Sequence, residues 1–128
     1  MNSDNVLVVD DDKTVRTLVS RWVEKWGYVV RQADSATEAL RQVVAEPPAI
    51  ILCDIRMPGQ DGFWLVEQVR ESWPGIPFIM VTGLDDLDTV VRARRGGAVD
   101  YVTKPFGREQ LHQALERAKA MIASRVGA

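Results

Sequence analysis

A chain of 128 residues with 46% hydrophobic and 27% charged side chains has the size and balance of a single globular domain built on one core. Its net charge of −2 gives no electrostatic reason to expect nucleic-acid binding, so direct contact with nucleic acid is not expected. A single cysteine, Cys53, excludes an internal disulfide framework and a thiolate-rich metal site, and it fits a reducing, cytoplasmic setting.

In chain order, Val6 to Val9 is the first short β-branched run and predicts a buried strand. Val15, Leu18, Val19, Trp22 and Trp26 follow at helical spacing and predict one core-facing stripe. Tyr28 to Val30 is shorter and is followed at once by Arg31 and Gln32, which suits a strand at a sheet edge. Ala36, Ala39, Leu40 and Val43 define a second helix, with Ser35 as N-cap and Pro47-Pro48 as its stop. Ile50 to Cys53 is the next strand, and a third helix follows Asp61-Gly62 with Leu65, Val66 and Val69 as its stripe. Pro77 to Val81 and Val99 to Val102 complete the strands. Between them, Asp85 to Arg95 predicts a fourth helix held by a thin stripe of Leu87, Val90 and Val91. A last helix runs from about Arg108 to Ser124 and buries Leu111, Ala114, Leu115, Ala118 and Ile122. No stretch approaches the about 18 consecutive apolar residues of a membrane span. Residues 1–4 carry no basic segment leading into an apolar run, so neither export nor a membrane partner is expected.

This alternation implies an α/β domain: a doubly wound parallel sheet, helices on both faces, right-handed crossovers. In such folds the chemistry sits beyond the carboxyl ends of the strands. Those positions hold Asp10, Asp11 and Asp12, then Asp54, then Thr82, then Lys104. Converging carboxylates repel unless a cation compensates, and Mg²⁺ is the hard cation that favours such oxygens, with Mn²⁺ able to substitute. An aspartate held there could attack phosphorus, with Lys104 and the Thr82 hydroxyl neutralising charge on the group in transit.

The stretches Val6-Leu7-Val8-Val9-Asp10-Asp11-Asp12, Asp54-Ile55-Arg56-Met57-Pro58 with Asp61-Gly62, Thr82-Gly83, and Gly97-Ala98-Val99-Asp100-Tyr101-Val102-Thr103-Lys104-Pro105-Phe106 carry a specific resemblance. Together they resemble a response-regulator receiver domain, the phosphoacceptor module of two-component signalling, from about Asn5 to beyond Phe106, so that residues 1–128 are expected to form one receiver unit without an output domain. The resemblance implies a (βα)5 flavodoxin-like fold with strand order 2-1-3-4-5. It implies Asp54 as phosphoacceptor, and Asp10, Asp11, Asp54 and the Arg56 backbone carbonyl as metal ligands. Lys104 would contact the phosphoryl group, Thr82 would swing to hydrogen-bond it, and Tyr101 would turn into the space vacated. Arg56 and Leu84 occupy positions that tune phosphoryl lifetime, and the bond preceding Pro105 is expected to be cis. The partners implied are a histidine kinase or histidine phosphotransfer protein, and an output domain or downstream protein reading the face of the fourth helix, fifth strand and last helix. The unit would be a monomer or a phosphorylation-linked homodimer, and mainly a switch that catalyses its own phosphorylation and dephosphorylation.

Several of these residues have plainer readings. Asp12 stands where an N-cap belongs. Cys53 reads as a small buried hydrophobe and His112 as a solvated helix residue without a second ligand at metal spacing. Arg92, Arg94 and Arg95 read as a solvated face. Trp64 falls on the helix face opposite Leu65, Val66 and Val69, so an exposed aromatic and a candidate partner contact are expected. Two rival functions remain. Asp10-Asp11-Asp12-Lys13-Thr14 also fits the signature of haloacid-dehalogenase-type phosphatases, with Asp10 as nucleophile and Asp12 as acid-base, but leaves the Asp54 motif unexplained. A partner-binding receiver that is never phosphorylated would not need the complete polar set.

Overall fold

A computed structural model describes residues 4–83, 91, 92, 95, 100–103 and 107–127. Five strands, β1 (Asn5–Val9), β2 (Val29–Ala33), β3 (Ile50–Asp54), β4 (Phe78–Thr82) and β5 (Asp100–Thr103), form one parallel sheet in the order β2-β1-β3-β4-β5. Helices α1 (Lys13–Lys25), α2 (Ala36–Ala45), α3 (Gly62–Ser72) and the C-terminal helix (Arg108–Gly127) connect and flank them. This is the doubly wound α/β arrangement and strand order expected.

The apolar runs are continuous because the sheet is covered twice. Leu7, Val9, Ile51, Cys53, Phe78 and Met80 point to one face and pack with Ala36, Ala39 and Val43 of α2 and Leu65, Val66 and Val69 of α3. Their alternates Val6, Val8, Ile50, Leu52, Ile79 and Val102 point to the other, against Val19 and Val23 of α1 and Leu111, Ala114, Leu115 and Ala118 of the C-terminal helix.

Three details depart from the sequence reading. Leu18 is 46% exposed, and the side of α1 that meets the sheet is Val19, Ser20 and Val23, with Trp22 and Trp26 packed beside it. The buried side of α1 thus takes in the small polar Ser20 and leaves Leu18 outside it. β2 begins one residue later than Tyr28 and runs through the polar pair Arg31 and Gln32. Polar residues are tolerated there because β2 is the edge: Arg31 reaches the carbonyl oxygens of Gln42 and Glu46, and the Gln42 amide donates to the Gln32 carbonyl at 2.8 Å. Trp64 is half-buried against the α2 and α3 cluster rather than free on the far side. With Phe63 also buried, α3 covers a wider arc than a stripe anchored on three residues suggests.

Of the expected fourth helix, Val91, Arg92 and Arg95 are helical and exposed, while Leu87 and Val90 lie outside the described residues. Arg92 is more than a solvated charge, since its guanidinium stands 4.2 Å from the centroid of the Phe63 ring. His112 is half-exposed and stacks on Trp26 at 4.5 Å, with Nε2 3.3 Å from Glu116 Oε1, so it staples α1 to the C-terminal helix.

Candidate functional site: the acidic end of the sheet

β1 and β3 are neighbours in the sheet, so the residues that leave their carboxyl ends are brought together. Asp10 follows β1 and Asp54 closes β3; they are only 4% and 7% exposed. One carboxylate oxygen from each of Asp10, Asp11 and Asp54 lies within 4.8 Å of the others. Two of these three charges are buried and the third, Asp11, opens to solvent. Like charges this close destabilise one another, and a hard divalent cation with oxygen ligands is what such a donor set suits.

The acidic triplet divides its labour. Asp10 Oδ1 accepts the Asp12 backbone N–H at 2.9 Å. Asp12 is exposed and caps α1, its Oδ1 accepting from Thr14 N at 2.9 Å and Val15 N at 3.3 Å. The capping reading of Asp12 therefore holds, and the acid-base role that a dehalogenase-type phosphatase would give it finds its carboxylate already committed to the helix end.

On the β3 side, Asp54 Oδ1 accepts from Arg56 N at 3.3 Å. The ladder continues past Asp54 through Ile55 N to Val81 O at 3.0 Å. The chain then turns through Gly59, at φ +79°, and Asp61 caps α3 by accepting from Trp64 N at 2.9 Å. Gly62 is the tightest point: a Cβ there would stand 2.6 Å from the Asp54 carbonyl oxygen, 2.9 Å from Met80 Cε and 3.0 Å from Ile55 Cα. The first turn of α3 thus rests directly on the peptide that carries Asp54. A shallow cavity of about 480 Å³ opens beside it, lined by Arg56, Met57, Pro58, Gly59 and Asp61. Cys53 is fully buried, its thiol donating to the Asp54 carbonyl at 3.2 Å; burial, then the charges of Asp54, Asp10 and Asp61, push its pKa well up.

Of the other expected site residues, Thr82 ends β4 in register with Thr103, and its side chain lies outside what is described. Tyr101 is half-buried against the cluster that includes Met80, its register partner. Leu84, Lys104, Pro105 and Phe106 lie outside the described residues. Two contributors escaped the sequence reading. Gly62 was visible only as part of a motif, because the need for a missing Cβ appears only once α3 meets β3. The Arg16 side chain donates to the Asp10 carbonyl at 2.8 Å, a contact that no spacing rule announces.

Residues 6–116 match the family model of the response regulator receiver domain. The chain belongs to that family. It is 38% identical over 118 residues to the DNA-binding transcriptional regulator NtrC of Proteus hauseri, covering 92% of this chain and 25% of that protein. It is also 38% identical over 115 residues to the C4-dicarboxylate transport transcriptional regulatory protein DctD of Rhizobium meliloti, covering 90% of this chain and 25% of the relative. Among solved structures, a CheY-like receiver domain protein of Methanospirillum hungatei superposes with a TM-score of 0.88 at 30% identity, covering 94% of this chain and 98% of that one. NtrX of Brucella abortus superposes equally well, at 32% identity, over 94% of this chain but 28% of its own. The receiver thus spans about a quarter of the curated relatives it matches. The expectation of no direct contact with nucleic acid is not borne out, since one of those relatives is by name a DNA-binding regulator. The charge of this chain could not reveal a function carried in the remainder of such proteins. Among the described residues no helix is long and apolar enough to cross a membrane.

Proposed function

We propose that residues 1–128 form one receiver unit in which Asp54 accepts a phosphoryl group from a phosphohistidine on a kinase or phosphotransfer protein. Asp54 Oδ forms the new bond to phosphorus, the bond from phosphorus to the imidazole nitrogen breaks, and the imidazole leaves with the bonding pair. Asp10, Asp11 and Asp54, with the Arg56 carbonyl, would hold Mg²⁺, or Mn²⁺ in its place. When bound, the cation supplies positive charge beside the transferring oxygens. What supports this reading is the convergence of three carboxylates within 4.8 Å at the carboxyl ends of two adjacent strands.

Each remaining role belongs to a residue of the chain. Gly62 and Asp61 fix α3 against the Asp54 peptide, so that the nucleophile is aimed by backbone packing. The Lys104 ammonium would neutralise charge on the phosphoryl oxygens and the Thr82 hydroxyl would hydrogen-bond them. Arg56 and Leu84 govern access of the hydrolytic water. Thr82 and Tyr101 carry the change to the face of the fourth helix, β5 and the C-terminal helix, where an output domain or downstream protein reads it. By likeness to the transcriptional regulators above, that output acts on DNA through a separate part of the protein, in the cytoplasm.

Incubation with acetyl phosphate and Mg²⁺, followed by intact-mass spectrometry, tests the assignment. One labile phosphoryl group is expected on the wild type and none on Asp54→Asn. A dehalogenase-type phosphatase would instead lose its labelling with Asp10→Asn and keep it with Asp54→Asn.

A further inference from the structure

The side chains around Asp10 do more than close the strand. Asp10 N donates to the Ala33 carbonyl at 3.2 Å, the last rung between the β1 end and β2. Its carbonyl oxygen, which belongs to the peptide joining it to Asp11, takes a hydrogen bond from Arg16 Nη1 at 2.8 Å. The same guanidinium is oriented from its other edge, where Nε donates to Gln32 Oε1 at 3.1 Å. Gln32 is itself a β2 residue, in register with Val8 and held through its carbonyl by Gln42. A planar fork with two fixed acceptors has one orientation available.

We propose that Arg16 is a positioning residue for the cation site, a role that rests on the metal-holding function given above to Asp10 and Asp11. The peptide plane it grips sets both ψ of Asp10 and φ of Asp11, and so the angle between the two carboxylates. Asp11 is exposed, so no surrounding core holds its side chain in place, and its placement comes from that plane. Arg16 and Gln32 therefore form a two-part outer support that ties the carboxylate pair to the sheet edge, in the way that groups behind metal ligands orient them.

Charge and geometry predict opposite signs, which makes the inference decidable. Coulomb's law alone says that removing a cation near a divalent ion tightens binding of that ion. A positioning role says that the same removal weakens it. The measurement is Mg²⁺ titration by isothermal calorimetry at 25 °C on the folded protein, with thermal melting and circular dichroism as controls. Arg16→Ala is expected to weaken Mg²⁺ by about tenfold, the low end for loss of an outer partner. Arg16→Lys, which keeps the charge but can satisfy only one of the two acceptors, should fall between that variant and wild type. Gln32→Ala, a neutral change at an exposed position, should weaken Mg²⁺ less, and should add nothing in the Arg16→Ala background because it acts only through the guanidinium. Mg²⁺ binding to Arg16→Ala equal to or tighter than wild type overturns the inference while leaving the cation site standing. If Arg16→Ala does not fold, Gln32→Ala decides: weakened binding supports the role and unchanged binding overturns it. A wild type that binds no Mg²⁺ sinks the cation site and the inference together.

Discussion

Gly62→Ala isolates the contact on which placement of Asp54 depends. The added methyl carbon would stand 2.6 Å from the Asp54 carbonyl oxygen, where ordinary contact begins at 3.4 Å, so the first turn of α3 must withdraw by about 0.8 Å. Two of its three neighbours, the Asp54 oxygen and Ile55 Cα, are backbone; only Met80 Cε can swing aside. Overpacking of this kind costs about 1–3 kcal/mol. Alanine at an unstrained position would regain about 0.4–1 kcal/mol by restricting the unfolded chain, and φ at Gly62 is not in the left-handed region. The net expectation is a loss centred at about 1.3 kcal/mol and no larger than about 2.6 kcal/mol, read by urea denaturation as a lower midpoint with an unchanged slope. Withdrawal of α3 should also pull on the Asp54 peptide, slowing phosphorylation by acetyl phosphate even where the protein is fully folded. A Gly62→Ala protein as stable and as readily phosphorylated as wild type would refute the close packing of α3 on β3.

Asp12→Ala removes an N-cap that accepts two backbone N–H groups, and should lower stability by about 1 kcal/mol in denaturant titration while leaving Asp54 phosphorylation in place. Tyr28 is buried with a hydroxyl that finds no hydrogen-bond partner among the described residues, so Tyr28→Phe should match or exceed wild type in stability at neutral pH. Burial first, then the charges of Glu116 and Asp4, push the Tyr28 pKa up from 10.0 to about 12. Because the folded pKa is the raised one, the unfolded chain loses this proton first, and wild type should lose stability relative to Tyr28→Phe as pH climbs from 10 to 12. Cys53, fully buried and with its thiol pKa raised, should resist an aromatic disulfide reagent in the native protein and react stoichiometrically only in denaturant, as absorbance at the thiolate band would record.

The sheet was legible because burial on two faces writes itself as uninterrupted apolar runs: Val6 to Val9 and Ile50 to Cys53 could hardly be anything else in a chain of this size. The edge strand was less so, since Arg31 and Gln32 look like a strand's end until Gln42 is seen holding the Gln32 carbonyl. Helix faces were read to within a fraction of a turn. Leu18 and Trp64 were misplaced because a wheel ranks hydrophobicity, whereas the fold buries polar Ser20 rather than Leu18 on α1 and covers α3 across a wide arc. The acidic site was legible as a convergence of strand ends, since Asp10, Asp11 and Asp54 needed only the parallel sheet to meet. Its supports were not: Gly62 acts by what it lacks, and Arg16 acts through a backbone oxygen, which leaves no trace in residue patterning. Net charge gave no sign of a link to nucleic acid because it reports on these 128 residues alone, and the relatives are about four times that length.

The most direct test of Asp54 as nucleophile is chemical trapping. Borohydride reduces an aspartyl phosphate to homoserine, which survives proteolysis and can be placed by tandem mass spectrometry. After treatment with acetyl phosphate and Mg²⁺, homoserine is expected at position 54 and nowhere else. Homoserine at position 10, or none at any aspartate under conditions where a known receiver is labelled, would contradict the account.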